Sequence, residues 1–151
     1  MKRQDFILKC STYCLDSVAF SSLFTGCSSY YYAQHTVEGN KLVINKKEFV
    51  FQKSQDKKIR SFILIKPDSL DFPICLYRLG ENDFVALYLK CTHQWCEVQP
   101  HGEYLVCPCH GSEFSNRGVV MASPAEQDLK QFPVLLDNET IIIQVQWESC
   151  H

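Results

Sequence analysis

Two short stretches gather the metal-binding side chains of this chain: Cys91-Thr-His-Gln-Trp-Cys96 and Cys107-Pro-Cys-His-Gly-Ser112. Each supplies a cysteine with a histidine two or three residues later, and one further cysteine. These spacings let a loop offer both sulfur and nitrogen to a metal, and two such loops facing each other complete a set of two thiolates and two imidazoles. Two chemistries use that set. A zinc ion takes it as a tetrahedral, redox-silent site. A 2Fe-2S cluster takes it with the thiolates on one iron and the imidazoles on the other, and then exchanges single electrons. The chain has nine cysteines. The crowding of Cys91, Cys96, Cys107 and Cys109, with His93 and His110 interleaved, fits a metal site rather than a distributed disulfide framework.

With Pro108 between Cys107 and Cys109, and the Gly111-Ser112 continuation, the two boxes resemble those of the Rieske iron-sulfur family. The match is to the disulfide-containing subtype of quinol-oxidising cytochrome bc complexes. The likeness runs over roughly residues 84 to 146 and includes Phe114, Gly118, Ser123-Pro-Ala125 and Leu129-x-x-Phe132-x-Val134. It implies a [2Fe-2S] cluster with Cys91 and Cys107 on one iron and His93 and His110 on the other. It also implies a Cys96 to Cys109 disulfide clamping the loops, and a third loop, containing Pro124, covering the cluster. The extra cysteines at matched places make zinc the least favoured reading.

Departures from the family pattern bear on the reduction potential. Ser112 keeps the position whose hydroxyl, in high-potential members, donates to a bridging sulfide, whereas Phe114 replaces a tyrosine whose hydroxyl bonds a ligand sulfur. Losing that donor leaves more negative charge on sulfur and favours the oxidised cluster. The potential is therefore expected below the top of the roughly -150 to +300 mV open to such centres. Gln94 and Trp95 replace a usual Leu-Gly, so Trp95 is expected to supply apolar cover on a loop whose backbone is normally shaped by glycine. Exposed imidazoles at the tip would couple electron uptake to proton uptake, the chemistry that quinol oxidation needs.

The elements that must hold these loops read as short strands rich in Val, Ile, Phe and Tyr with turn residues between them. A hairpin is expected from Leu42–Ile44 and Glu48–Phe51, with further strands at 59–65, 74–79, 84–89, 104–106, 119–120, 134–136 and 140–146. No sustained helical periodicity accompanies them. The expected fold is all-β, an antiparallel Rieske-like sandwich with a two-loop cluster-binding subdomain. Its expected boundaries are a signal over 1–26, a tether over 27–40 and the Rieske domain over 41–151.

At the N-terminus, Lys2 and Arg3 lead into a moderately apolar stretch ending Leu23-Phe-Thr-Gly-Cys27, which resembles a lipobox. Arg3-Gln-Asp-Phe-Ile-Leu-Lys9 resembles a twin-arginine signal that lacks its second arginine. The expectation is a bacterial lipoprotein, exported to the periplasm or cell envelope and anchored to the membrane through lipid on Cys27, a location that agrees with a disulfide. Nowhere do about 18 consecutive apolar residues occur, as a spanning helix requires. The net charge of -2, from 15 basic and 17 acidic residues, comes without blocks, so there is no nucleic-acid footprint.

The expected function is single-electron transfer with a redox partner protein, a cytochrome or a larger oxidoreductase subunit, and with quinol as a candidate donor. No substrate pocket of its own is foreseen. The alternatives are a small Rieske subunit of a larger oxidoreductase and a Rieske ferredoxin of an oxygenase system. His35, His101 and His151 are expected in solvent, Cys75 as a buried thiol in a strand, and Cys150 without an assigned role.

Overall fold

The structure, a computed structural model, describes residues 30–53 and 56–145. The signal expected over 1–26, the lipid site Cys27, and Cys150 lie outside the described residues. Fourteen strands occur in chain order. They are β1 (Thr36–Glu38), β2 (Lys41–Asn45), β3 (Val50–Lys53), β4 (Asp56–Ile59), β5 (Phe62–Ile65), β6 (Ile74–Arg78) and β7 (Phe84–Tyr88). There follow β8 (Gln99–His101), β9 (Tyr104–Val106), β10 (Glu113–Ser115), β11 (Val120–Ala122), β12 (Gln131–Phe132), β13 (Val134–Asp137) and β14 (Thr140–Gln144). Every ladder between them is antiparallel, as the sequence pattern foresees.

Three four-stranded sheets form, in orders β1-β2-β14-β13, β12-β7-β6-β5 and β11-β10-β9-β8, with β3-β4 as a separate ribbon. The middle sheet explains the arrangement. Ile63 and Ile65 of β5, Ile74 and Leu76 of β6 and Ala86 of β7 point to one core, against Leu42, Ile44, Ile141 and Ile143 of the first sheet. Their neighbours Leu64, Cys75, Tyr77, Val85 and Leu87 point to a second core, shared with Leu105 of β9, Phe114 of β10 and the thiols Cys91 and Cys107. Because strand side chains alternate faces, a sheet covered on both sides reads as an unbroken apolar run, which Phe-Ile-Leu-Ile and Ile-Cys-Leu-Tyr are. Each such side chain contributes about 1.5–3 kcal/mol by leaving water. The metal-binding loops thus rest on a sheet packed from behind by the first core.

Two sequence expectations are corrected. Leu42–Ile44 and Glu48–Phe51 do not pair with each other. The Asn45 side chain accepts from the Lys47 N–H at 2.9 Å and starts a 3-10 turn over Lys46–Phe49, which drops Phe49 into the first core. Freed of that pairing, β2 lies between β1 and β14, and β3 pairs with β4.

The expected tether over 27–40 is, from residue 30 on, part of the folded unit. Leu64 of the edge strand β5 exchanges backbone hydrogen bonds with this segment, donating to Tyr31 at 2.9 Å and accepting from Ala33 at 2.8 Å. Ala33 is buried, and β1 forms a hairpin with β2 through Gly39, whose φ of 60° needs glycine. The tyrosines are fastened too. Tyr30 donates to the Pro100 carbonyl at 3.2 Å, and Tyr31 donates to Glu48 at 2.8 Å beneath the Arg60 guanidinium, 3.9 Å from its ring. An edge strand presents unpaired backbone groups, and this segment covers one.

Candidate metal centre

Both boxes are loops of equal length closed in the same way. Lys90 and Glu97 form an antiparallel bridge around Cys91–Cys96, and Val106 and Glu113 pair around Cys107–Ser112. In the first loop Cys91 donates to the Cys96 carbonyl at 2.8 Å and Trp95 to the Cys91 carbonyl at 3.0 Å. In the second, Cys107 donates to Ser112 at 2.8 Å and Gly111 to Cys107 at 2.9 Å. Position by position, Cys91 matches Cys107, Trp95 matches Gly111 and Cys96 matches Ser112. The matched residues Trp95 and Gly111 both take positive φ, 44° and 78°.

That match places the side chains. Cys91 and Cys107 are free thiols, each 1% exposed, at the floor of the loops. Burial, and next the neighbouring Cys91 thiol, push Cys107 above the usual thiol range, so a metal that binds there must displace the proton. His93 and His110 are exposed at the rim, ring centroids 5.2 Å apart and planes at 88°. Cys96 and Cys109 form the disulfide across the loops, with S–S 2.01 Å. The sulfurs of Cys96, Cys107 and Cys109 lie within 4.8 Å of one another. Two of those three are oxidised to the disulfide and cannot serve as thiolates, so the cluster of sulfurs marks the clamp's position beside Cys107 rather than a three-cysteine site. The available donors are two buried thiols and two exposed imidazoles on facing loops. This set fits a two-iron cluster with its sulfur-bound iron inside and its nitrogen-bound iron at the surface.

A third segment ties the loops together. The Ala125 N–H donates to the Ser112 hydroxyl at 2.9 Å, and the Thr92 hydroxyl donates to the Gln127 carbonyl at 2.6 Å. Pro124, preceded by a cis peptide bond, is half-buried between exposed Ser123 and buried Ala125. Thr92 carries no mark in the sequence that distinguishes it from any loop threonine, because its partner lies 35 residues away. Gly118 approaches the second core so closely that a Cβ would come within 2.8 Å of the Leu87 side chain, and its φ of 78° also favours glycine. Phe114 is fully buried beside Cys91 and Cys107. Cys75 is a buried free thiol of the same core, next to Tyr77, whose buried hydroxyl has no nitrogen or oxygen partner. Burial, then the Cys75 thiol, raise the Tyr77 pKa.

Trp95 does not cover the loops as expected. It is 72% exposed, with the Lys90 ammonium 4.6 Å from its ring. A bulky residue in the left-handed region costs on the order of 1–3 kcal/mol, and an exposed cation–π contact returns roughly 0.5–1 kcal/mol. The backbone cost outweighs the contact.

Comparison with known proteins agrees with this donor set. Residues 66–133 match the family model of the Rieske [2Fe-2S] domain. The cytochrome b6-f complex iron-sulfur subunit of Prochlorococcus marinus subsp. pastoris is 33% identical over 72 residues, 46% of this chain and 40% of that protein. The subunit of the same name from Chlorobaculum tepidum is 30% identical over 66 residues, 42% of this chain and 36% of that one. The chain therefore spans about two fifths of the length of these curated relatives. Among solved structures, the cyanobacterial plasma membrane Rieske protein PetC3 from Synechocystis PCC 6803 aligns with a TM-score of 0.49 and 26% identity, over 56% of this chain and 87% of that one. Residues 66–133, a little under half of the chain, thus resemble a Rieske [2Fe-2S] domain, and the residues brought together here fit the cluster for which that domain is named.

Proposed function

We propose that the chain is a Rieske electron-transfer protein in which Cys91 and Cys107 hold one iron and His93 and His110 the other. One observation carries this reading: two free, buried thiols and two exposed imidazoles meet across loops of matching geometry, joined by a disulfide. When bound, the cluster supplies a one-electron couple. The chain's own residues do the rest. The buried floor around Phe114 and Leu105 keeps water from the thiolate side, and the Ser112 hydroxyl would donate to a sulfur of the bound cluster and so favour electron uptake. The rings of His93 and His110 lie open to solvent at the rim of the loops.

The redox partner in this reading is a cytochrome or a subunit of a larger oxidoreductase, with quinol as a candidate donor. Relatives named as cytochrome b6-f complex subunits support an assembly of that kind. An oxidising compartment is supported by the clamp, and the reading puts the protein in the cell envelope, exported by 1–26 and lipid-anchored at Cys27. Because Tyr31 and Ala33 already bond to β5, such an anchor would hold the domain close to the membrane.

The test is spectroscopy of protein from an iron-replete host. Two irons and two acid-labile sulfides per chain are expected, with a low-average-g paramagnetic signal on reduction that His93→Ala and His110→Ala abolish. Colourless protein carrying stoichiometric zinc would overturn the reading.

A further inference from the structure

The first loop holds a tryptophan in a costly backbone conformation, exposed, with a lysine seated on its ring. Glycine would satisfy the same φ at no cost, as Gly111 does at the matching place in the second loop. Stability therefore does not account for Trp95. Its effect is on Lys90, the residue before ligand candidate Cys91. Across the closing bridge Lys90 stands opposite Glu97, the usual partner for it, yet among the described residues the two make no ion pair. The ammonium instead sits over the exposed indole, 4.6 Å from the ring centroid. The Glu97 carboxylate acts elsewhere: after burial, it is the next cause raising the Tyr32 pKa.

We infer that Trp95 is a positioning residue that keeps the Lys90 charge on the first loop, and that this charge raises the reduction potential of the centre. The inference rests on the cluster assignment proposed above. With two ferric irons, two sulfides, two thiolates and two neutral imidazoles the site carries no net charge, and accepting one electron from a donor gives it one negative charge. A cation fixed nearby favours that reduced state. Between Lys90 and Glu97 and between Val106 and Glu113, neither loop contains another lysine, arginine or carboxylate. This makes Lys90 the one lysine or arginine in the loops and their closing pairs. A lysine free in solvent would spread its charge over many rotamers and contribute less.

The experiment is a redox titration of the cluster-loaded full chain, followed by paramagnetic resonance, at low and high salt. Lys90→Gln should lower the midpoint potential and Lys90→Arg should restore it. Trp95→Gly should also lower it while leaving thermal stability equal or higher, and should add nothing in the Lys90→Gln background. The difference between native and Lys90→Gln proteins should shrink at high salt, which a structural effect would not do. Unchanged potentials in both Lys90→Gln and Trp95→Gly would overturn the inference, as would a shift in Trp95→Gly of equal size with and without Lys90. If Trp95→Gly fails to load, the lysine pair and its salt dependence still decide. Failure of the native protein to bind iron would instead sink the cluster assignment.

Discussion

Ser112 is fully buried, and apart from the Tyr77 hydroxyl its side chain carries the one buried hydroxyl among the described residues. A hydroxyl has one proton and two lone pairs, and the Ala125 N–H occupies a lone pair at 2.9 Å. Its proton is left to donate, and in the cluster reading a sulfur of the bound centre would be the acceptor that this buried donor requires. Ser112→Ala should therefore act twice. It should lower the midpoint potential, read by redox titration, and it should cost about 1–3 kcal/mol in a denaturation curve because the Ala125 N–H is left buried without a partner. Phe114 tests the opposite sign. Its ring is fully buried beside the two thiols, so Phe114→Tyr places a hydroxyl where a ligand sulfur can accept it. The potential should rise, and an unchanged potential would mean that the hydroxyl points away from sulfur.

At the scale of elements, each loop is held by its own backbone bonds and closing pair, while the disulfide and the 123–127 segment hold the loops to each other. These are separable. Cys96→Ser should leave both hairpins folded but release one loop from the other, lowering stability by about 3 kcal/mol from loop entropy at this 13-residue separation. The iron content should then fall on exposure to a chelator, which incubation followed by absorption measures. A retained chelator resistance would assign the coupling to Thr92 and Ser112 instead. The donor set was legible in the sequence because each loop carries its ligand and clamp side by side, so that no long-range contact had to be foreseen. The Thr92 to Gln127 staple was not, since a threonine gives no sign of which distant carbonyl it will meet. Nor was β4, an exposed Asp-Lys-Lys-Ile whose composition argues against a strand and which pairing with β3 alone defines. In β8 the proline disguised a short strand, tolerated at the edge of its sheet.

The described residues form a stack of three sheets in which the middle one serves two cores, and its edge strand β5 is covered by the segment around Tyr32. Composition and strand pattern reveal the all-β class but not the layer count, which depends on which faces meet. The same limit explains why 27–40 reads as a tether: its Tyr31-Tyr-Ala-Gln-His-Thr36 stretch has neither alternation nor a long apolar run, and its order comes from Leu64, Glu48 and Arg60. A chain begun at residue 41 tests this. It loses both backbone bonds on β5, buried Ala33, the Tyr30 contact with Pro100 and the whole of β1. At about 1 kcal/mol for each lost bond, before any apolar loss, the melting temperature should fall on the order of 10 °C against a chain begun at residue 30. The uncovered β5 should also pair with another copy, visible as concentration-dependent dimers in size-exclusion chromatography. Equal melting and a monomer in both would return 30–40 to the role of a tether. Loss confined to the shorter chain would show that the segment over 30–40 is structural, with the reach of the loops set by the stack of sheets rather than by a swinging linker.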